Sequence, residues 1–178
     1  MKKILIAAAV FGALGFAGTA SANVASNVFT WSGSVPETST QAGWIIKTPL
    51  KTDIANGILV FTANAAGKGE LKSSTDLAFN VFKYDAAPAI GDAAANYKFK
   101  LSSLAVNNGG LAQEQAPDGY FAIKADSAVL VKDAEVNKVS GGETNLTVVP
   151  SAAAAPSNQP DAGDDVSVLA TIVVVTAA

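Results

Sequence analysis

The carboxyl-terminal run of the chain constrains its fold more than any other feature. Residues 166–176, VSVLATIVVVT, contain no charge, no proline and no glycine, and most of them are β-branched. β-Branched side chains fit the pleated surface of a sheet better than the crowded turns of a helix. The run therefore predicts a strand that is long for a globular protein.

The remainder of the chain shows the same preference for strands. Alternation with a period of two and β-branched runs recur between Gly, Asn, Asp and Pro residues, whereas helical spacing of apolar residues is hard to find. Eight or nine strands are predicted, over residues 28–35, 44–47, 57–62, 77–84, 97–101, 119–123, 128–131, 144–149 and 165–176. Short strands between turn signals favour an all-β, antiparallel sandwich.

Three chemically useful residue types are missing, because the chain has no Cys, no His and no Arg. Without Cys there is no disulfide, thiolate nucleophile or sulfur ligand. Without His the usual proton shuttle and imidazole ligand are lost. Without Arg there is no bidentate clamp for a carboxylate or phosphate. We therefore expect no enzyme, no metal and no other cofactor.

The first 22 residues are interpreted as a cleaved signal peptide. Met1-Lys2-Lys3 is followed by an apolar run of about 14 residues, too short for a membrane span. Ala20 and Ala22 are the small residues that a signal peptidase reads. Cleavage leaves 156 of 178 residues, in which ten lysines face 15 acidic residues, a net charge of −5. This size indicates one domain, and its charge disfavours nucleic acid and anionic lipid, so we expect neither nucleic-acid binding nor membrane insertion after cleavage.

Several local motifs are better explained by structure than by chemistry. Asp161, Asp164 and Asp165 lack the spacing of a calcium loop and are interpreted as a solvated turn. Residues 67–69, GKG, lack the Ser or Thr of a phosphate loop and predict a hairpin turn. Residues 151–163, SAAAAPSNQPDAG, predict an exposed loop before the last strand.

The expected mature chain begins directly in a strand, although free termini usually have little to pack against. Its alternation puts Val24 and Val28 on one side and Ala25, Phe29 and Trp31 on the other. Either side could be buried. Two interpretations remain open: an ordinary first strand of the domain's own sheet, or a strand offered to another molecule.

The export signal, the mature start in a strand, the Cys-free β domain and the apolar last strand occur together in this chain. Short stretches add to the pattern: Thr30-Trp31-Ser32, Thr48-Pro49-Leu50 and Asp165-Val166-Ser167-Val168. The combination resembles the major subunits of chaperone–usher fimbriae, particularly the cysteine-free branch that includes the common pilus. The local similarities cover the two ends of the chain.

The resemblance implies an incomplete immunoglobulin-like sandwich over residues 35–178, lacking its last strand, preceded by a donor-strand extension over residues 23–34. The implied donor residues are Val24, Ala25, Val28, Phe29 and Trp31. The implied edge of the acceptor groove consists of Val166, Val168, Leu169, Ile172 and Val174. A long uncharged edge strand is an aggregation hazard that a donated strand would cover.

The implied function is that of a structural subunit in a surface fimbrium of a Gram-negative bacterium, supporting adhesion or biofilm. Its implied partners are other copies of itself, a periplasmic chaperone, an outer-membrane usher and a tip adhesin. Two alternatives stay open. One is a secreted monomeric sandwich that binds carbohydrate or a protein through Trp31 or Trp44, and the other is a matrix or surface-layer protein assembled by another contact.

Overall fold

The computed structural model describes residues 26–31, 43–84 and 89–178, and for residues 26–31 it describes the backbone alone. Twelve strands lie in these ranges: β1 (Ser26–Trp31), β2 (Trp44–Lys47), β3 (Gly57–Ala63), β4 (Gly69–Ser74), β5 (Leu77–Lys83), β6 (Tyr97–Asn108), β7 (Gln113–Glu114), β8 (Phe121–Ala125), β9 (Ala128–Val129), β10 (Val136–Lys138), β11 (Thr144–Pro150) and β12 (Val166–Ala177). The helical structure of these ranges is one 3₁₀ turn, Pro156–Asn158. The fold is all-β, as the sequence predicts.

Most predicted strands coincide with observed ones. The bounds of β2, β3, β5, β8, β9, β11 and β12 agree with the predictions to within two residues. Strand β6 continues to Asn108, well past the predicted end at residue 101. Strand β1 overlaps the predicted residues 28–35, of which residues 32–35 lie outside the described residues. Strands β4, β7 and β10 were not predicted, because they are short or rich in polar residues.

The strands form three antiparallel sheets. Their orders are β1–β3–β4, β10–β6–β12 with β7 on β6, and β2–β5–β11–β8–β9. The two larger sheets face each other, since Phe79 of β5 packs edge-on against Phe99 of β6 with ring centroids 5.5 Å apart. Phe61 of β3 meets Phe121 of β8 at 6.1 Å, so the smallest sheet joins the same core. This arrangement is consistent with a β-sandwich.

The last strand lies along the full length of β6. Their ladder runs from Val166 opposite Asn108 to Ala177 opposite Tyr97, with two register shifts. Side chains of β12 alternate strictly between buried and half-buried as far as Val175. The buried set is Val166, Val168, Ala170, Ile172 and Val174. Alternate residues of the predicted long strand therefore belong to the core, and their burial contributes to the apolar stabilisation of the domain.

A hydroxyl network joins the two larger sheets at one end of the core. The Tyr97 hydroxyl donates to the carbonyl of Gly142 at 2.8 Å and lies 2.7 Å from Oγ1 of Thr144, a residue with no exposed surface. Burial raises the pKa of Tyr97, because the charged phenolate would be poorly solvated there. The network satisfies polar groups that could not otherwise be buried without cost.

The loop between β11 and β12 is fastened to the β3–β4 turn. The Gly69 N–H donates to the carbonyl of Pro160 at 2.7 Å, and the Ala162 N–H donates to the carbonyl of Gly67 at 2.8 Å. The hairpin turn predicted at residues 67–69 is present. The loop predicted to be exposed at residues 151–163 is exposed only in part, because Pro160 is buried and five other residues are half-buried. Pro156 begins the 3₁₀ turn, a position where the missing N–H of proline costs nothing.

Two neighbouring glycines provide a matched test of the packing at this end of the core. Gly141 and Gly142 both have positive φ angles, 60° and 78°. A Cβ at Gly141 would lie 2.3 Å from the carbonyl oxygen of Ala94, whereas a Cβ at Gly142 would meet nothing within 4 Å.

We expect both alanine variants to carry about 1 kcal/mol of backbone strain. The backbone clash should make Gly141→Ala lower the free energy of unfolding by about 2 kcal/mol more than Gly142→Ala does. Urea denaturation of the two variants measures the difference. Equal losses would contradict this description of the packing around Ala94.

Candidate functional site

The seam is the space between β3 and β12, and β1 lies in it. Strand β1 pairs antiparallel with β3 over six successive residue pairs, from Ser26 opposite Thr62 to Trp31 opposite Gly57. Cα atoms of β1 also come within 8 Å of Cα atoms of β12. In this single chain, β1 therefore occupies the seam of its own molecule.

The two sides of the seam are not equivalent. Along β3, β1 forms a continuous ladder. Within the described residues, the ladder of β12 is with β6 alone, and none links it to β1. The edge of β12 toward β1 therefore keeps backbone donors and acceptors that a strand seated fully in the seam could pair with.

Both walls of the seam are uncharged. The sequence of β3 is GILVFTA and that of β12 is VSVLATIVVVTA. Edges of soluble monomers are often protected by Lys or Pro, and neither residue occurs in β3 or β12. The site can thus offer backbone hydrogen bonds and apolar burial to an extended segment, which is the chemistry of strand addition.

The register of β1 distinguishes two sets of its positions. Leu59 and Phe61 of β3 are almost fully buried, whereas Ile58 is 44% exposed. Position 29 is paired with Leu59, and position 30 with Ile58. Directly paired residues lie on the same face of a sheet, so positions 27, 29 and 31 fall on the core side of the ladder.

Two side-chain hydroxyls anchor β4, the strand of the β3–β4 hairpin that lies away from the seam. Ser74 Oγ donates to the carbonyl of Val148 at 3.0 Å and accepts from the Val148 N–H at 2.9 Å. The Tyr120 hydroxyl accepts from the Leu71 N–H at 2.9 Å. These bonds tie β4 to the large sheet, so the edge of β3 that remains for pairing is the one toward the seam.

The predicted site residues divide between the seam and the part of the chain that is not described. Four of the predicted acceptor residues are buried in the core, namely Val166, Val168, Ile172 and Val174, while Leu169 is half-buried on the opposite face of β12. Val28, Phe29 and Trp31 are residues of β1. Val24, Ala25 and the cleavage residues Ala20 and Ala22 lie outside the described residues. Trp44 is half-buried against the core.

Only one wall of the seam, β12, could be predicted from the sequence. The Asn56-Gly57 turn signal predicted the strand β3, but nothing in its spacing indicated that this strand would stand opposite β12. The second wall, Leu59 and Phe61, became visible only through the ladder with β1. Ser74 was missed because a serine at a strand end carries no distinctive sequence signal.

The described ranges show neither a metal site nor a membrane-spanning helix. The described residues contain no group of three His, Cys, Asp or Glu side chains placed to hold a metal ion. They also contain no helix with the length and apolar character needed to cross a bilayer.

The chain matches no protein-family model, no curated protein and no solved structure.

The tie at Ser74 can be tested against its exposed neighbour. Ser74→Ala should lower the free energy of unfolding by about 1–3 kcal/mol, because the buried Val148 N–H loses its acceptor. Ser73→Ala should change the free energy by less than about 0.5 kcal/mol, as is usual for exposed positions. Thermal and urea denaturation measure both, and equal effects would show that Ser74 does not anchor the hairpin.

Proposed function

We propose that the chain is a structural subunit of a bacterial surface fimbria, and that copies polymerise head to tail by strand donation. Residues 23–34 of one copy would enter the seam of the next. The observation that carries the proposal is the six-pair ladder of β1 on β3, beside an edge of β12 that forms no ladder with any of the residues that the structure describes.

The segment that connects β1 to the rest of the chain is long enough for β1 to enter either its own seam or that of a neighbouring copy. Eleven residues, 32–42, separate Trp31 from Gly43. An extended segment of that length spans on the order of 40 Å, which is comparable with the width of a domain of this size. The same strand can therefore reach either its own seam or that of an adjacent copy.

Donation between copies produces a filament rather than a closed dimer. The donor lies at the amino end of a copy and the seam in its body, so the contact is heterologous and leaves a free donor and a free seam at opposite ends. Each apolar residue buried in the seam contributes on the order of 1–3 kcal/mol. A joint of several such residues, together with a backbone ladder, would open very slowly.

The remaining parts of the proposal follow from the resemblance. Residues 1–22 direct export, and residues 35–178 form an immunoglobulin-like sandwich that is completed by the donor strand. A periplasmic chaperone and an outer-membrane usher bring the subunit to the cell surface, where fibres support adhesion or biofilm and carry a tip adhesin.

One observation favours a second candidate function, that of a secreted monomeric binding protein. Pairing of β1 with β3 of its own chain is also the arrangement expected of a secreted monomer that binds carbohydrate or a protein. The two candidate functions predict different assembly states. A fimbrial subunit should form detergent-resistant polymers, whereas a secreted monomer should give one monomeric peak on size exclusion.

Removal of the donor tests the proposal most simply. The intact protein should form polymers that survive detergent without heating. Protein lacking residues 23–34 should form none while keeping its β signature by circular dichroism. Fibres built from the truncated protein would contradict the donor assignment.

Matched substitutions within β1 test which positions matter. Phe29→Asp places a charge opposite the buried Leu59, whereas Thr30→Asp places the same charge opposite the exposed Ile58. We expect Phe29→Asp to abolish polymers and Thr30→Asp to leave most of them, as seen by electron microscopy and unheated gels. Equal polymer yields from the two variants would count against burial of the donor in the seam.

A further inference from the structure

A polar cavity of about 580 Å³ lies at the end of the sandwich where β6 ends and β12 begins. Its walls come from residues 106–121, from the loop before β12 and from Lys68 in the β3–β4 turn. The volume falls within the range of small-molecule sites. The function proposed for the seam makes no use of this cavity.

Side-chain hydrogen bonds fix the walls relative to one another. Gln115 Nε2 donates to the carbonyl of Phe121 at 2.6 Å, and its Oε1 accepts from the Phe121 N–H at 3.0 Å. Asn158 Nδ2 donates to the carbonyl of Asp118 at 2.7 Å, which joins two of the loops. A site whose loops are tied in this way loses little conformational entropy when a ligand binds.

The charges at the cavity disfavour anions. Lys68, the cation in the lining, is ion-paired with Asp161. Glu114 accepts a hydrogen bond from Lys132 at 2.7 Å, and this bond lowers the pKa of the Glu114 carboxyl. Asp118 and Asp164 have no lysine of the described residues within 4.0 Å.

The remaining polar groups suit a ligand rich in hydroxyls. The carboxylates of Asp118 and Asp164 can accept hydrogen bonds, although one oxygen of Asp164 already accepts the Asp161 N–H at 3.2 Å. The amides of Asn108 and Gln113 both donate and accept them. The ring faces of the aromatic residues in the lining are covered, so they offer no stacking platform. Leu111, 87% exposed at the rim, supplies an apolar surface for the C–H face of a sugar.

We infer that this cavity is a binding site for a neutral saccharide. Adjacent hydroxyls of the sugar donate to Asp118 and Asp164, its C–H face rests on Leu111, and acidic sugars are repelled by the two carboxylates. In a fibre, one such site on each subunit would give many weak contacts with a glycan surface, and their combined avidity would far exceed a single affinity.

The test uses the purified full chain and four probes in saturation-transfer NMR: D-galactose, D-mannose, N-acetyl-D-glucosamine and the acidic N-acetylneuraminic acid. At least one neutral sugar should bind, and more tightly than the acidic sugar. Asp118→Ala should weaken that binding about tenfold, the loss expected for one or two hydrogen bonds. The exposed Asp76→Ala, outside the cavity, should bind as the unmodified protein does.

Three results would overturn the inference: no binding of any of the three neutral sugars, preferential binding of the acidic sugar, or undiminished binding by Asp118→Ala. Circular dichroism of Asp118→Ala checks its fold, and Leu111→Ser offers a second variant that should also weaken binding. Polymer formation is measured separately, so a failure here leaves the proposal for the seam untouched, and the reverse also holds.

Discussion

An incompletely paired strand edge is the constraint on which the rest of this structure depends. Strand β12 contributes to the core through one face and bonds to β6 through one edge. Its other edge lies beside β1 and forms no ladder within the described part of the chain. A twelve-residue edge without charge or proline cannot remain bare in water without inviting association. The β3–β4 hairpin provides the opposite wall, and the strand between them comes from a separate part of the chain.

The body of the domain keeps this seam in place without any covalent cross-link. Edge-on aromatic contacts hold the facing sheets together, and they include Phe79 with Phe99 and Phe61 with Phe121. Hydroxyl groups then connect elements that share no ladder: Tyr97 reaches Thr144, and Ser74 reaches Val148. Such bonds add little to the free energy of unfolding when they are made, but a buried partner left without its bond lowers that free energy strongly. They therefore specify one arrangement of the sheets.

Most strands could be predicted from the sequence, but which strand edges face one another could not. Strand β12 and most other strands could be predicted because apolar alternation depends on local sequence. Strand β4 could not, since GELKSS forms a strand only because the turn at residues 67–69 brings it against β3. Pairing between distant strands was also what the sequence could not predict for the seam. Phe29 and Trp31 indicated the bulkier side of the first strand, but only its register against Leu59 and Gly57 placed those positions on the core side. The cavity beside Asp118 was not predicted at all, because its lining comes from parts of the chain that are far apart in sequence, at residues 68, 106–121 and 157–164.

The central claim is that the strand in the seam of an assembled fibre belongs to a neighbouring copy. Electron cryo-microscopy of fibres, at a resolution that allows the chain to be traced through residues 32–42, tests it most directly. We predict that residues 26–31 of each copy will lie between β3 and β12 of the adjacent copy. Fibres in which every copy keeps residues 26–31 in its own seam would contradict the account.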